Sequence, residues 1–135
     1  MVLMIDDDLD TLEIYQIIAA KSSHANQFKV FSSPVAALRW LKNQVITDSV
    51  FPRYLLLALN MSELHGFEFI KEFERKLPYR QLNTEVIVLS NSIRYQDQFR
   101  SKKYDSVNEF ISKPLSNERF FSLLKSASGI NTIEA

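Results

Sequence analysis

The sequence predicts an α/β fold in which a five-stranded parallel sheet is covered by helices on both faces, a doubly wound three-layer sandwich of (βα)5 order. Residues 2–5, 54–57 and 86–89 are apolar at every position or nearly so, which is typical of strands buried on both faces. Segments with helical spacing separate these runs. Parallel strands need such crossovers, and the crossovers cover the sheet.

Two further strands and five helices complete the predicted order. Residues 28–31 and 110–111 read as more peripheral strands. Four helical segments carry apolar residues three or four positions apart, namely Leu12, Tyr15, Ile18 and Ala19; Ala37, Leu38 and Leu41; Phe69, Ile70 and Phe73; and Phe120, Phe121, Leu123 and Leu124. The remaining helical segment, near 93–104 and fourth in chain order, has few apolar residues at helical spacing and many polar ones. We therefore expect it to pack lightly.

Boundary residues support this order. Asp8 is suited to cap the first helix, and Ser33 followed by Pro34 forms an N-cap with proline at the first helical position. The chain is long enough for one domain with an ordinary core. We therefore expect one domain over residues 1–128 and a C-terminal tail over 129–135.

Composition excludes several classes of function. Sixteen basic residues balance sixteen acidic ones, so no net field favours nucleic acid or an anionic membrane. The chain has no cysteine, which removes disulfides and thiolate sites. No apolar run approaches the roughly 20 residues of a membrane span, and the N-terminus lacks the basic start of a signal peptide. These features favour a cytoplasmic protein.

Polar side chains follow the predicted strands. Asp6 and Asp7 come after the first strand, Ser90 after the fourth and Lys113 after the fifth. In an open parallel sheet, ligands bind outside the carboxyl ends of the strands, where the strand order reverses. Carboxylates suit a hard divalent cation, while a hydroxyl and an ammonium donate to phosphate-like oxygens. The pattern therefore indicates a pocket for a cation and an oxyanion.

Familiar catalytic motifs are absent from the sequence. Neither of the two glycines lies in a phosphate-cradling run, and no serine stands in a hydrolase nucleophile elbow. The spacing of Asp6, Asp8 and Asp10 suggests a calcium loop but lacks its glycine and its final glutamate. His24 and His65 have no partner at metal-ligand spacing and read as surface residues. We therefore expect no enzyme.

The strand-end segments resemble the receiver domains of response regulators over residues 2–128. The matching segments, in chain order, are residues 2–8, 56–69, 86–90 and 110–114. The resemblance implies a flavodoxin-like fold and a part in two-component phosphorelay signalling. It also implies protein partners, namely a sensor histidine kinase or a phosphotransfer protein and a downstream effector, bound through a face formed by residues 93–128.

The resemblance also implies roles for individual residues of the pocket. Asp6 and Asp7 would be the acidic pair that supports Mg²⁺, Asp7 more directly, with the backbone carbonyl of Asn60 as a further ligand. Ser90 would sense the phosphoryl group, and Lys113 would pair with it or with the acids.

Two further features are implied near the last strand. The peptide bond between Lys113 and Pro114 would be cis, and Phe110 would be the aromatic side chain that rotates on activation. In the loop after the third strand, close to Ala58 in the sequence, Ser62 stands where receiver sequences usually have proline. We treat that change as a tolerable loop substitution.

Ala58 occupies the position at which receiver domains carry the phosphate-accepting aspartate. A methyl group cannot form an acyl phosphate or ligate a metal, so Mg²⁺ should bind more weakly. The chain is therefore expected to be a pseudo-receiver or an acceptor-substituted variant that binds partners without phosphorylation. The substitution is either natural or introduced in the laboratory; a natural variant is favoured because unmodified sequences are commoner.

Two alternatives remain from other functional classes. A residual phosphotransfer protein could use Asp7 or Asp8 as a substitute acceptor, since both are carboxylates near the cation position. A flavin-binding protein of the same architecture is disfavoured because the acidic loop after the first strand would repel a phosphate-bearing cofactor.

Overall fold

The computed structural model describes residues 1–91 and 94–129, and their strands alternate with helices. The strands are β1 (Val2–Ile5), β2 (Phe28–Phe31), β3 (Tyr54–Ala58), β4 (Glu85–Ser90) and β5 (Val107–Ser112). The helices are α1 (Leu9–Ala20), α2 (Pro34–Ile46), α3 (Gly66–Lys76), α4 (Tyr95–Ser101) and α5 (Asn117–Ala127), and a short 3₁₀ helix (Ala25–Gln27) precedes β2. The predicted flavodoxin-like α/β fold is confirmed.

All five strands are parallel and lie in the order β2-β1-β3-β4-β5. The chain passes from β1 to β2 on one side and then returns to place β3 on the other side of β1. The strand order therefore reverses between β1 and β3, and their carboxyl ends form the switch point of the sheet.

Each face of the sheet has its own core because successive side chains of a strand point to opposite faces. Leu3 and Ile5 of β1 are buried on the face that α2 and α3 cover. Val2 and Met4 are buried on the face that α1 and α5 cover. The uninterrupted apolar runs of β1, β3 and β4 follow from this double cover, as the sequence predicted.

Helix starts agree with the boundary signals. Asp8 is the N-cap of α1 and accepts a hydrogen bond from the N–H of Asp10 at 3.1 Å. Ser33 is the N-cap of α2, its hydroxyl oxygen accepts from the N–H of Ala36 at 3.0 Å, and Pro34 is the first helical residue. Both predicted caps are confirmed.

Two elements differ in extent from the prediction. β5 is longer than residues 110–111, because it begins at Val107 and includes the polar residues 108–109 at the sheet edge. α4 is shorter than the predicted 93–104; residue 93 lies outside the described residues, and 102–104 continue as a turn and coil. α4 buries only Ser101, so it packs lightly, as expected.

The described part of the chain begins just before β1 and ends just after α5. The described part ends at Gly129, which follows α5. Its φ of 82° lies in the left-handed region, as is common just after a helix. Most of the predicted tail, residues 130–135, lies outside the described residues. No helix within the described ranges combines the length and the apolar character needed to cross a membrane.

Candidate functional site

The carboxyl ends of the strands gather the predicted site residues at one edge of the sheet. Asp6 follows β1, and Ala58 is the last residue of the neighbouring β3. Ser90 ends β4, and Lys113 follows β5, which pairs with β4. The backbone N–H of Lys113 donates to the carbonyl oxygen of Ser90 at 2.7 Å, which holds the last two strand ends together.

Asp6 and Lys113 form an ion pair across this edge. The Lys113 Nζ lies 2.6 Å from the Asp6 Oδ2, and the side chains are only 15% and 5% exposed. The second carboxylate oxygen, Oδ1, accepts a hydrogen bond from the N–H of Asp8 at 3.0 Å. Burying a charge is costly unless it is paired and hydrogen-bonded, and both conditions are met here. The sequence left open which acid Lys113 pairs with, and it is Asp6.

Asp7 points toward a different partner. It is exposed, and its Oδ2 accepts a hydrogen bond from the backbone N–H of Ser62 at 3.0 Å. The hydroxyl of Ser62 lies 3.4 Å from the same oxygen, at the long end of hydrogen-bonding range. The two neighbouring acids therefore have different partners: Asp6 is buried against Lys113, and Asp7 is bound to the amide of a loop residue.

Asp8 is committed to α1. Its Oδ1 accepts from the N–H of Asp10, and its Oδ2 accepts from the hydroxyl of Thr11 at 2.9 Å. The hydrogen bond from the Thr11 hydroxyl is the main cause that lowers the pKa of Asp8 below its ordinary value. The carboxylate therefore stays ionised and serves the helix N-terminus.

The end of β3 packs tightly against the start of α3. Ala58 is buried, and the N–H of Gly66 donates to the carbonyl oxygen of Leu59 at 2.7 Å. A Cβ on Gly66 would lie 2.8 Å from the carbonyl oxygen of Ala58 and 2.9 Å from the Cα of Leu59. Glycine is therefore required here by the close approach of two backbones. Asn60 is exposed in the loop between them.

Of the oxygens that the predicted Mg²⁺ ligands offer, several already accept from donors within the chain. Asp6 has both oxygens engaged by Lys113 and Asp8, and Asp7 accepts from Ser62. The methyl group of Ala58 offers no oxygen. Across residues 1–91 and 94–129, no three carboxylate or imidazole side chains come together as metal ligands. Hard divalent cations need several oxygen ligands, and affinity falls with ligand charge and number.

Phe110 belongs to β5, and α4 packs against that strand. Phe110 is half-buried against the core under α2 and α3. Together with Gln98, Ser101 and Lys102 it lines a cavity of about 260 Å³ between α4 and β5. The predicted cis peptide bond between Lys113 and Pro114 is present.

Some contacts near the site were not anticipated. His65, predicted to be a surface residue, is half-buried and caps α3: its Nδ1 accepts from the N–H of Phe67 at 3.2 Å. Glu63 accepts from the hydroxyl of Ser33 at 2.6 Å, and this bond is the first cause that lowers the pKa of Glu63. The residues following β3 thus brace both α2 and α3. The position of His65 directly before Gly66, the first residue of α3, could have indicated that it caps this helix.

Comparisons with known proteins place this architecture among signalling receivers. The sequence model described as the response regulator receiver domain matches residues 2–125. A two-component response regulator from Cytophaga hutchinsonii has a TM-score of 0.76 at 23% identity, covering 95% of this chain and 96% of that chain. A response regulator from Legionella pneumophila has a TM-score of 0.77 at 21% identity, covering 96% and 98%.

A third structure, the phosphorylated cyanobacterial phytochrome response regulator RcpA, has a TM-score of 0.70 at 24% identity and covers 93% of this chain and 88% of that chain. No curated protein matches the chain. The fold and the strand-end pocket define a doubly wound protein of the receiver class. The chain belongs to the response regulator receiver domain family and is thus a receiver domain of two-component signalling.

Proposed function

We propose that this receiver domain accepts no phosphoryl group at the usual position and acts by binding protein partners. The observation that carries the proposal is Ala58, which ends β3 at the switch point. An acyl phosphate forms when a carboxylate oxygen attacks phosphorus, and a methyl group has no lone pair with which to attack. Ala58 stands at the acceptor position of the resembling segment, residues 56–69.

The surrounding charges support the same conclusion. Asp6, Asp7 and Lys113 leave the pocket with a formal charge of about −1, and the acids are engaged by donors of the chain itself. We infer that Mg²⁺ binds weakly and that the domain catalyses no reaction. Of the two substitute acceptors, Asp8 is disfavoured because both its oxygens hold α1. The alternative function, residual phosphotransfer, therefore depends on Asp7.

The face formed by α4, β5 and α5 is the proposed partner surface. Tyr95 and Phe99 of α4 are 80% and 60% exposed, although large aromatic side chains gain most from burial. Aromatic residues are enriched where proteins bind one another. The partners we propose are a sensor histidine kinase or a phosphotransfer protein and a downstream effector.

Beryllofluoride tests the loss of the acceptor, because it mimics a phosphoryl group on a carboxylate. With Mg²⁺ present, we expect no change in the backbone amide spectrum of the wild-type protein. The matched control is Ala58→Asp, which should respond at the strand ends. A response of the wild-type pocket would overturn the proposal.

Alanine substitutions test the partner surface. Tyr95→Ala combined with Phe99→Ala should weaken binding to the histidine kinases, phosphotransfer proteins or effectors of the source cell. Ile46→Ala is the matched control, because Ile46 is 81% exposed but belongs to α2. Equal binding by both variants would show that the face is elsewhere.

A further inference from the structure

One hydrogen bond joins the two loops that frame the pocket. Asp7 lies in the β1–α1 loop, residues 6–8, and Ser62 lies in the β3–α3 loop, residues 59–65. The Ser62 N–H donates to Asp7 Oδ2 at 3.0 Å across 55 positions of sequence. We propose that this bond fastens the two loops without any cation, so that Ser62 is a positioning residue in the place where a divalent ion would otherwise act.

The donor is held in position by its own loop. Leu59 and Met61, on either side of Asn60, are buried, and the Gly66 N–H closes the loop onto Leu59 at 2.7 Å. The amide of Ser62 therefore does not need to be ordered when it meets the carboxylate. A hydrogen bond to an ionised oxygen is stronger than one between neutral groups.

The bond occupies one lone pair of Asp7 Oδ2. A cation ligated through this oxygen has to share its charge with the N–H of Ser62, so the bond weakens the oxygen as a ligand. The buried pair of Asp6 and Lys113 already satisfies the other acid, so each carboxylate has an internal partner. The fastening of the loops by this bond rests on the proposed function in one respect, namely that Ala58 supplies no third carboxylate to favour the cation.

Ser62 supplies the bond through its backbone, and this makes a matched pair of variants available. Ser62→Ala keeps the N–H and removes only the hydroxyl contact at 3.4 Å. Ser62→Pro removes the N–H, because proline has no backbone donor. On the other side of the bond, Asp7→Asn and Asp7→Ala both remove the charge, but only the asparagine variant keeps an oxygen that can accept.

Amide hydrogen exchange at position 62, measured with a chelator present, tests the fastening. We expect the Ser62 amide to be protected in the wild-type protein and in Asp7→Asn, and to exchange about fivefold faster in Asp7→Ala, since one hydrogen bond of net strength ~1 kcal/mol is lost. Equal exchange in the wild type and Asp7→Ala would refute the bond. Strong extra protection of this amide by Mg²⁺ in the wild type would also overturn the proposal.

A metal titration tests the competition. In the Ala58→Asp background, adding Ser62→Pro should tighten Mg²⁺ binding about fivefold, because no N–H then draws on the charge of the Asp7 oxygen. Adding Ser62→Ala should leave the affinity unchanged. If both double variants bind Mg²⁺ equally, the amide does not compete. Phosphorylation of the wild-type chain would sink the proposed function but leave the exchange result intact, so the two failures are distinguishable.

Discussion

Replacing Lys113 by methionine removes the countercharge of a buried carboxylate while keeping a long side chain. Removing one partner of a buried ion pair costs about 3–5 kcal/mol, because the other charge is left unpaired. Asp6 is 5% exposed and Lys113 is 15% exposed, but Asp6 keeps the N–H of Asp8. We therefore expect the lower end, a loss of about 3 kcal/mol in the free energy of unfolding.

The assay is urea unfolding at pH 7 followed by far-UV circular dichroism, with a thermal scan beside it. For a domain of this size, a loss of ~3 kcal/mol lowers Tm by about 10 °C. Adding Asp6→Asn to Lys113→Met removes both charges and keeps an acceptor for the Asp8 N–H, so most of the stability should return, with a net loss of about 1 kcal/mol.

Two outcomes would refute this reasoning. A Lys113→Met variant within about 0.5 kcal/mol of the wild type would behave like an ordinary surface substitution. Equal instability of the single and double variants would show that the cost does not come from an unpaired charge.

Two further predictions concern the β3–α3 packing and the acid sensitivity of the fold. Gly66→Ala should destabilise by about 1–3 kcal/mol in urea unfolding, since its Cβ would lie 2.8 Å from the rigid carbonyl of Ala58; an unchanged midpoint would mean that the two backbones can separate. Hydrogen bonds from Arg80, at 2.8 Å, and then from Tyr79 lower the pKa of Asp105. Its folded pKa lies below the unfolded value, so the contribution is present at pH 7 and is lost as the pH falls below about 3.9. The Tm difference between the wild type and Asp105→Asn should shrink over that range, and a constant difference would contradict the assignment.

The strands could be located from the sequence, whereas the extent of β5 could not be predicted. β1 and β2 were predicted with their correct limits, because apolar composition and turn residues agree there. β5 extends through Asn108 and Glu109, whose polarity reflects an edge that helices do not fully cover. Its length depends on pairing with β4, which is a tertiary effect.

The candidate site was predicted in its place but not in its contacts. Topology alone brings Asp6 and Lys113 to one edge, because carboxyl ends of parallel strands meet there. Which acid binds the lysine depends on side-chain reach and burial, neither of which has a sequence pattern. Ser62 was treated as a tolerable loop substitution. Its contact could not be predicted, because it is made by a backbone N–H that every residue type except proline supplies. Only the folded loop shows that this N–H meets Asp7.

Intact-mass spectrometry after incubation with acetyl phosphate and Mg²⁺ tests the central claim most directly. The wild-type chain should stay unmodified, and Ala58→Asp should gain one acid-labile phosphoryl group at position 58, since only a carboxylate there can attack phosphorus. A phosphoryl group on the wild-type pocket would contradict the claim, and its location on Asp7 would establish the substitute acceptor instead.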